Sequence, residues 1–199
     1  IAVSLPHLAC REVTAAPTVI AVTKTWDGPL HRILGPSRVP WTELLAWTRD
    51  GGGLLVSAGD RTQWPVTKVI DLRTGNRRAA FPTYVSMGHG AWSSGRRFFA
   101  MPTTDSSSRA SLLVVDSAFR SRVGSFTVGQ QAYAYAWAPG RPLLAFASSS
   151  SVRVFDASTR RVIATIPVRA PFGFGVDSLS WAPDERSVTV IAAPGLGHD

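Results

Sequence analysis

The sequence predicts an all-β repeat array, and three observations carry the prediction. Four tryptophans, Trp47, Trp92, Trp137 and Trp181, recur at intervals of 45, 45 and 44 residues. Each is followed by a turn-forming tetrapeptide and then by a short apolar run. No stretch carries the long 3.6-residue apolar stripe of an amphipathic helix. A period in the forties built from short strand-like runs is the pattern of a β-propeller, one period giving one four-stranded antiparallel blade.

The turns after the tryptophans are Thr48-Arg49-Asp50-Gly51, Ser93-Ser94-Gly95-Arg96, Ala138-Pro139-Gly140-Arg141 and Ala182-Pro183-Asp184-Glu185. Asp, Gly and Pro supply their geometry. Second strands follow at 54–56, 98–101, 143–146 and 188–191, nearly all apolar, as in strands buried on both faces. Third strands end on an aspartate, at Asp71, Asp116 and Asp156, with Asp27 as the counterpart in the first unit. A carboxylate leaving a strand can accept hydrogen bonds from its own turn. Outer strands are expected at 79–81, 123–126, 162–166 and 32–34. Residues 1–5 match a second strand and 18–22 a third.

The expected organisation is therefore one propeller over 1–199, with about three complete blades and two partial ones. The divisions are a partial blade 1–36, blades 37–83, 84–129 and 130–170, and a partial blade 171–199. Seventeen strands are expected, and the chain reads as part of a larger ring.

Of the 199 residues, 45% are hydrophobic and 17% charged, which excludes a disordered chain. No apolar run is long enough to span a bilayer as a helix, and no signal peptide is visible. The single cysteine, Cys10, excludes an internal disulfide framework. Net charge is +8, from 19 Arg and 2 Lys against 13 acids. The arginine bias, with abundant Ala and Gly, points to a bacterial source.

Trp137-Ala138-Pro139-Gly140-Arg141-Pro142-Leu143-Leu144-Ala145 and Trp181-Ala182-Pro183-Asp184-Glu185-Arg186 resemble the W-S-P-D-G-(K/R)-x-L-A repeat of TolB-type, WD-repeat-like bacterial propellers. Val152-Arg153-Val154-Phe155-Asp156 is similar to the third strand of WD repeats. The resemblance covers nearly the whole chain. It implies blade topology, with the turns joining strands one to two and three to four on one rim.

That rim collects 13 of the 19 arginines against seven acids. Arg77, Arg78, Arg96, Arg97, Arg160 and Arg161 are its main basic candidates, matched to an acidic partner. The opposite rim carries aromatics outside the repeat register: Trp41, Tyr84, Tyr133 and Phe172 beside blade-to-blade segments, and Trp64 in a second-to-third-strand loop. With His89, held between Gly88 and Gly90, these are the partner-binding candidates. Trp47, Trp92, Trp137 and Trp181 are structural, since their place in each unit is fixed.

No catalytic residue, metal site or cofactor motif is assigned. There is no G-x-S-x-G elbow, P-loop, H-E-x-x-H or cysteine pair, and His7, His31, His89 and His198 lack ligand spacing. The expected function is a non-catalytic propeller module presenting loops to a protein or peptide. No nucleic-acid-binding signature accompanies the arginines. Two alternatives stay open. One is the substrate-gating propeller of a prolyl-oligopeptidase-like serine hydrolase with its catalytic domain elsewhere. The other is the extracytoplasmic sensor domain of a membrane kinase. A cell-envelope or secreted location is favoured over the cytoplasm.

Overall fold

The structure, a computed structural model, describes residues 8–9, 21–22, 31–32, 41–60, 63–81, 90–104, 109–128, 134–148, 151–168 and 176–192. Among these there are 17 strands and no helix. The chain forms two compact units, Ile1–Pro82 and Thr83–Asp199.

The first unit holds two antiparallel sheets. One is β1 (Leu8–Ala9), β2 (Ala21–Val22) and β3 (His31–Arg32), paired in that order. The other is β4 (Trp41–Trp47), β5 (Gly53–Asp60), β6 (Gln63–Asp71) and β7 (Arg77–Phe81), also in chain order. The expected strand at 1–5 and the aspartate turn at Asp27 lie outside the described residues. In β5, Leu54, Leu55 and Val56 are fully buried, as an apolar second strand requires. Burying each such side chain contributes about 1.5–3 kcal/mol. Ser57 on β5 and Thr67 on β6 face each other across the ladder, both fully buried. Among the described residues the Ser57 hydroxyl has no hydrogen-bond partner.

Trp64 corrects the sequence reading. It lies inside β6, not in a loop, because the β5–β6 hairpin closes tightly at Asp60 opposite Gln63. Pro65 beside it suggested a loop, but two turn residues suffice here.

The second unit holds β8 (Ala91–Trp92), β9 (Phe98–Thr104), β10 (Ala110–Asp116) and β11 (Arg122–Thr127) in one sheet. A second sheet contains β12 (Tyr135–Trp137), β13 (Leu143–Ser148), β14 (Ser151–Asp156) and β15 (Arg161–Pro167), and a third contains β16 (Val176–Trp181) and β17 (Val188–Ala192). All neighbours are antiparallel. The three four-stranded sheets of the chain are the three complete blades that the sequence predicts.

Each repeat tryptophan is the last residue of the first strand of its sheet, and two of them stitch neighbouring sheets together. The Trp137 indole N–H donates to the Ala91 carbonyl at 3.0 Å. The Trp181 indole N–H donates to the Ala136 carbonyl at 2.9 Å. The acceptor each time is the residue just before the previous tryptophan, so one repeat of sequence becomes one repeat of hydrogen bonding.

Small and large residues alternate across these joints. Ala136, Ala145, Ala147 and Val152 of one sheet meet Leu179, Trp181, Val188 and Val190 of the next. At the preceding joint Phe126 lies 4.6 Å from Phe146 and 4.8 Å from Phe155 between ring centroids. Gly124 makes that stack possible, because a Cβ there would sit 2.9 Å from both the Phe126 and Phe155 rings. Phe119 is fully buried although it lies in the β10–β11 turn, with its ring 5.5 Å from Trp92 and 5.6 Å from Phe99. Its backbone is left-handed, φ 53°, a strained choice for an aromatic that its burial sustains.

The last sheet departs from expectation. Its second strand, β17, is buried on one face only. Val188 and Val190 pack inward, while Thr189 and Ile191 are exposed beside exposed Ser178 and Ser180. No described strand packs on that second face, so its side chains are polar apart from Ile191.

Two stability outcomes follow from this packing. Trp137→Ala should cost about 3–5 kcal/mol through the cavity it leaves, and Trp137→Phe about 1 kcal/mol by removing the indole donor alone. Denaturant unfolding of the two variants checks this, and no loss in Trp137→Phe would mean that the indole hydrogen bond contributes nothing. Ser57→Ala should leave stability unchanged or raise it by up to ~1 kcal/mol, because a buried hydroxyl without a partner is costly. A loss of 1 kcal/mol or more in the same measurement would show that the hydroxyl is satisfied.

Candidate functional site

The antiparallel order puts the turns after first and third strands at one end of each sheet. There the side chains divide by chemistry. Carboxylates fold back onto the turns, and guanidinium groups face solvent.

The aspartates behave as the sequence suggests. Asp71 accepts from the Arg73 and Thr74 amides at 2.9 and 2.8 Å. Asp116 accepts from the Arg120 and Ser121 amides at 2.8 and 3.2 Å. Asp156 takes the Ser158 amide at 2.8 Å, the Ser158 hydroxyl at 2.6 Å and the Thr159 amide at 3.3 Å. Asp50 accepts from the Thr48 hydroxyl at 2.6 Å and the Gly52 amide at 3.0 Å, and Asp184 from the Arg186 amide at 3.1 Å.

In Asp50, Asp71 and Asp156 these bonds stabilise the ionised form and hold the carboxyl below its ordinary range. The chief cause is the Thr48 hydroxyl for Asp50, the Thr74 amide for Asp71 and the Ser158 hydroxyl for Asp156. Tyr135 is the opposite case, with burial pushing its hydroxyl up to about 12.

The arginines are left outward. Arg49, Arg73, Arg77, Arg96, Arg97, Arg120, Arg122, Arg160, Arg161 and Arg186 are all exposed, and Arg78 is partly buried. The Arg96 guanidinium lies 5.3 Å from the Trp92 ring centroid and that of Arg97 5.9 Å from the Phe98 ring centroid, so both rest over aromatic faces. Arg96 and Arg160 take left-handed backbone, φ 49° and 58°, which closes their turns. Within each unit, the main basic candidates Arg77 and Arg78, and Arg96, Arg97, Arg160 and Arg161, fall at this turn end, in turns or at the start of an outer strand.

One acid of the rim has a different role, which the sequence reading missed. Glu185, in the β16–β17 turn, reaches the β12–β13 turn of the neighbouring sheet. Its carboxylate accepts from the Gly140 amide, from the Arg141 amide at 3.1 Å and from Arg141 Nε at 2.5 Å, while Arg141 Nη2 donates to the Glu185 carbonyl at 2.9 Å. The Arg141 side chain, hydrogen-bonded first, and the Gly140 amide hold this carboxyl below its ordinary value. The available signal was the spacing: Glu185 follows Arg141 by nearly one repeat.

The aromatic candidates are less accessible to description. Tyr84, His89, Tyr133 and Phe172 lie outside the described residues. Trp41 opens β4 opposite Gly59, and Trp64 lies in β6. Among the described residues no group of three His, Cys, Asp or Glu side chains could hold a metal ion, and no helix is long and apolar enough to cross a membrane.

No protein-family model matches the chain, and no curated protein matches its sequence. Solved structures do match its fold. TolB from Acinetobacter baumannii superposes with a TM-score of 0.52 at 15% identity, over 96% of this chain and 47% of that one. A TolB from Agrobacterium tumefaciens gives 0.48 at 14% identity, over 95% and 71%. A chain of the mitotic checkpoint complex gives 0.42 at 16%, over 94% and 68%. The chain thus spans less than half of the Acinetobacter protein. At this identity the Acinetobacter likeness shows the fold alone, that of a TolB-like β-propeller.

The Glu185 bridge gives the site a pH dependence. Because folding lowers this pKa, the contribution is complete above the ordinary glutamate value and is lost as pH falls through the folded value. Glu185→Gln should therefore reduce stability at neutral pH and flatten the acid limb of the stability–pH curve. Thermal melts from pH 7 to pH 3 check this, and parallel curves for the two proteins would deny the bridge a role.

Proposed function

We propose that this chain is a non-catalytic binding module that docks an acidic protein or peptide against the arginine-lined turn rim. The observation that carries the reading is the division of charge. Within each unit the rim arginines outnumber the rim acids, so the net field met by an approaching partner is positive. The Asp50, Asp71 and Asp156 carboxyls are held ionised below their ordinary range. A group kept that way suits turn capping better than proton transfer near neutral pH.

The mechanism is rigid presentation. Tryptophan and phenylalanine joints fix one sheet on the next, and arginines on short turns meet the partner with little loss of backbone freedom. Arginine also binds carboxylates through two parallel N–H donors. A bacterial cell-envelope location belongs to the same proposal and rests on the bacterial type of the repeat.

A fluorescent oligo-glutamate peptide is the probe. Binding should weaken steeply between low and physiological salt. The double reversal Arg97→Glu and Arg120→Glu, both on the rim of the second unit, should reduce affinity by tenfold or more, about 1.4 kcal/mol or more. Salt-insensitive binding, or affinity unchanged by the reversals, would refute the rim as a docking surface.

A further inference from the structure

The large apolar side chains exposed among the described residues are Val162 at 36%, Ile163 at 56%, Ile166 at 48% and Ile191 at 58%. Three of the four lie on one strand, β15. That strand ends its sheet, so among the described residues nothing pairs with its outer edge. An edge strand presents a row of backbone donors and acceptors. The corresponding strand of the preceding sheet, β11, exposes Arg122, Ser125 and Thr127 and buries Val123. Of these two outer strands, only β15 exposes large apolar side chains.

We propose that the outer edge of β15 takes an extended peptide segment by strand addition, deepening the protein-binding reading on which it rests. Several features define the occupant. β15 is anchored from behind, with Ala164 packed against the Ala138, Leu143 and Val154 cluster, so the edge is preformed. Ile163 is skipped where the register passes from Val154 opposite Ala164 to Phe155 opposite Val162, and Pro167 closes the other end. A bulge and a proline blunt an edge against open-ended self-pairing and leave a short stretch for one strand.

The charge sets direction and composition. Exposed Arg160 and Arg161 stand at the start of β15, and the nearby Asp156 carboxylate is bonded to its own turn. A strand added antiparallel brings its C-terminal end there. The occupant is an extended segment with β-branched apolar residues at alternate positions and acidic residues at its C-terminal end.

The probe is a fluorescein-labelled heptapeptide, Thr-Val-Thr-Val-Thr-Glu-Glu, titrated into the full chain and followed by anisotropy and by amide hydrogen exchange. Binding should slow exchange across 161–167. The double variant Ile163→Lys, Ile166→Lys should weaken it about tenfold or more, and Arg161→Glu should weaken it less. Both isoleucines are exposed, and an unchanged thermal melt would show that the double variant folds. The rim reversals at Arg97 and Arg120 should leave this peptide's affinity unchanged.

No binding, equal binding by the lysine variant, or protection confined to the rim turns would overturn the proposal. So would a dimer on sizing that Ile166→Lys dissolves, because a second copy would then be the occupant. If oligo-glutamate still binds the rim while the heptapeptide does not bind β15, only the strand-addition inference falls.

Discussion

The hydrogen bonds from Trp137 and Trp181 to the residue before the preceding repeat tryptophan set the spacing of neighbouring sheets in the second unit. An indole is wide, and its N–H must find an acceptor when it is partly buried. Meeting both demands at once fixes where the next sheet can lie. The Trp137 and Trp181 bonds do this with nearly equal lengths. Small side chains on the receiving face, Ala136 and Ala145, follow from the same requirement, because a larger residue would push the incoming sheet away. Gly124 meets a parallel demand from the phenylalanine stack.

Once the sheets are fixed, the turns are short and their backbone amides need acceptors. The third-strand aspartates fill that need, and the arginines are left to face water. The basic character of the rim is thus partly a result of turn chemistry, since the same loops that consume carboxylates display guanidinium groups. Glu185 is the exception. Its turn has left-handed backbone at φ 58°, and its carboxylate reaches a neighbouring sheet. It adds an electrostatic tie at the rim to the tryptophan tie inside. Such an exposed pair contributes modestly in water, but it couples two turns that would otherwise meet only through solvent.

The strands differ in how readily the sequence disclosed them. Leu54–Val56, Phe98–Met101 and Leu143–Phe146 are continuous apolar runs, and burial on both faces produces such runs. Val188–Ile191 resembles them closely, yet only one of its faces is covered. The composition of a single strand does not state how many sheets flank it. Trp64 was misplaced for a related reason, since Pro65 disfavours a ladder position but does not forbid one near a hairpin end. The apolar run of β15 was legible as an outer strand, whereas its exposure was not.

The sequence by itself determined the period, the strand order within each sheet, the turn-capping aspartates and the accumulation of arginine on one rim. These depend on local spacing and on residue-to-turn chemistry, both of which are written along the chain. Only the tertiary structure decided which carbonyl each indole meets, that Glu185 bridges to Arg141, that Phe119 is drawn from a turn into the core, and that β15 keeps three apolar side chains in water. Each of these depends on which sheet lies beside which, and at what distance. Residues about 45 apart in sequence become neighbours only after the intervening strands have folded.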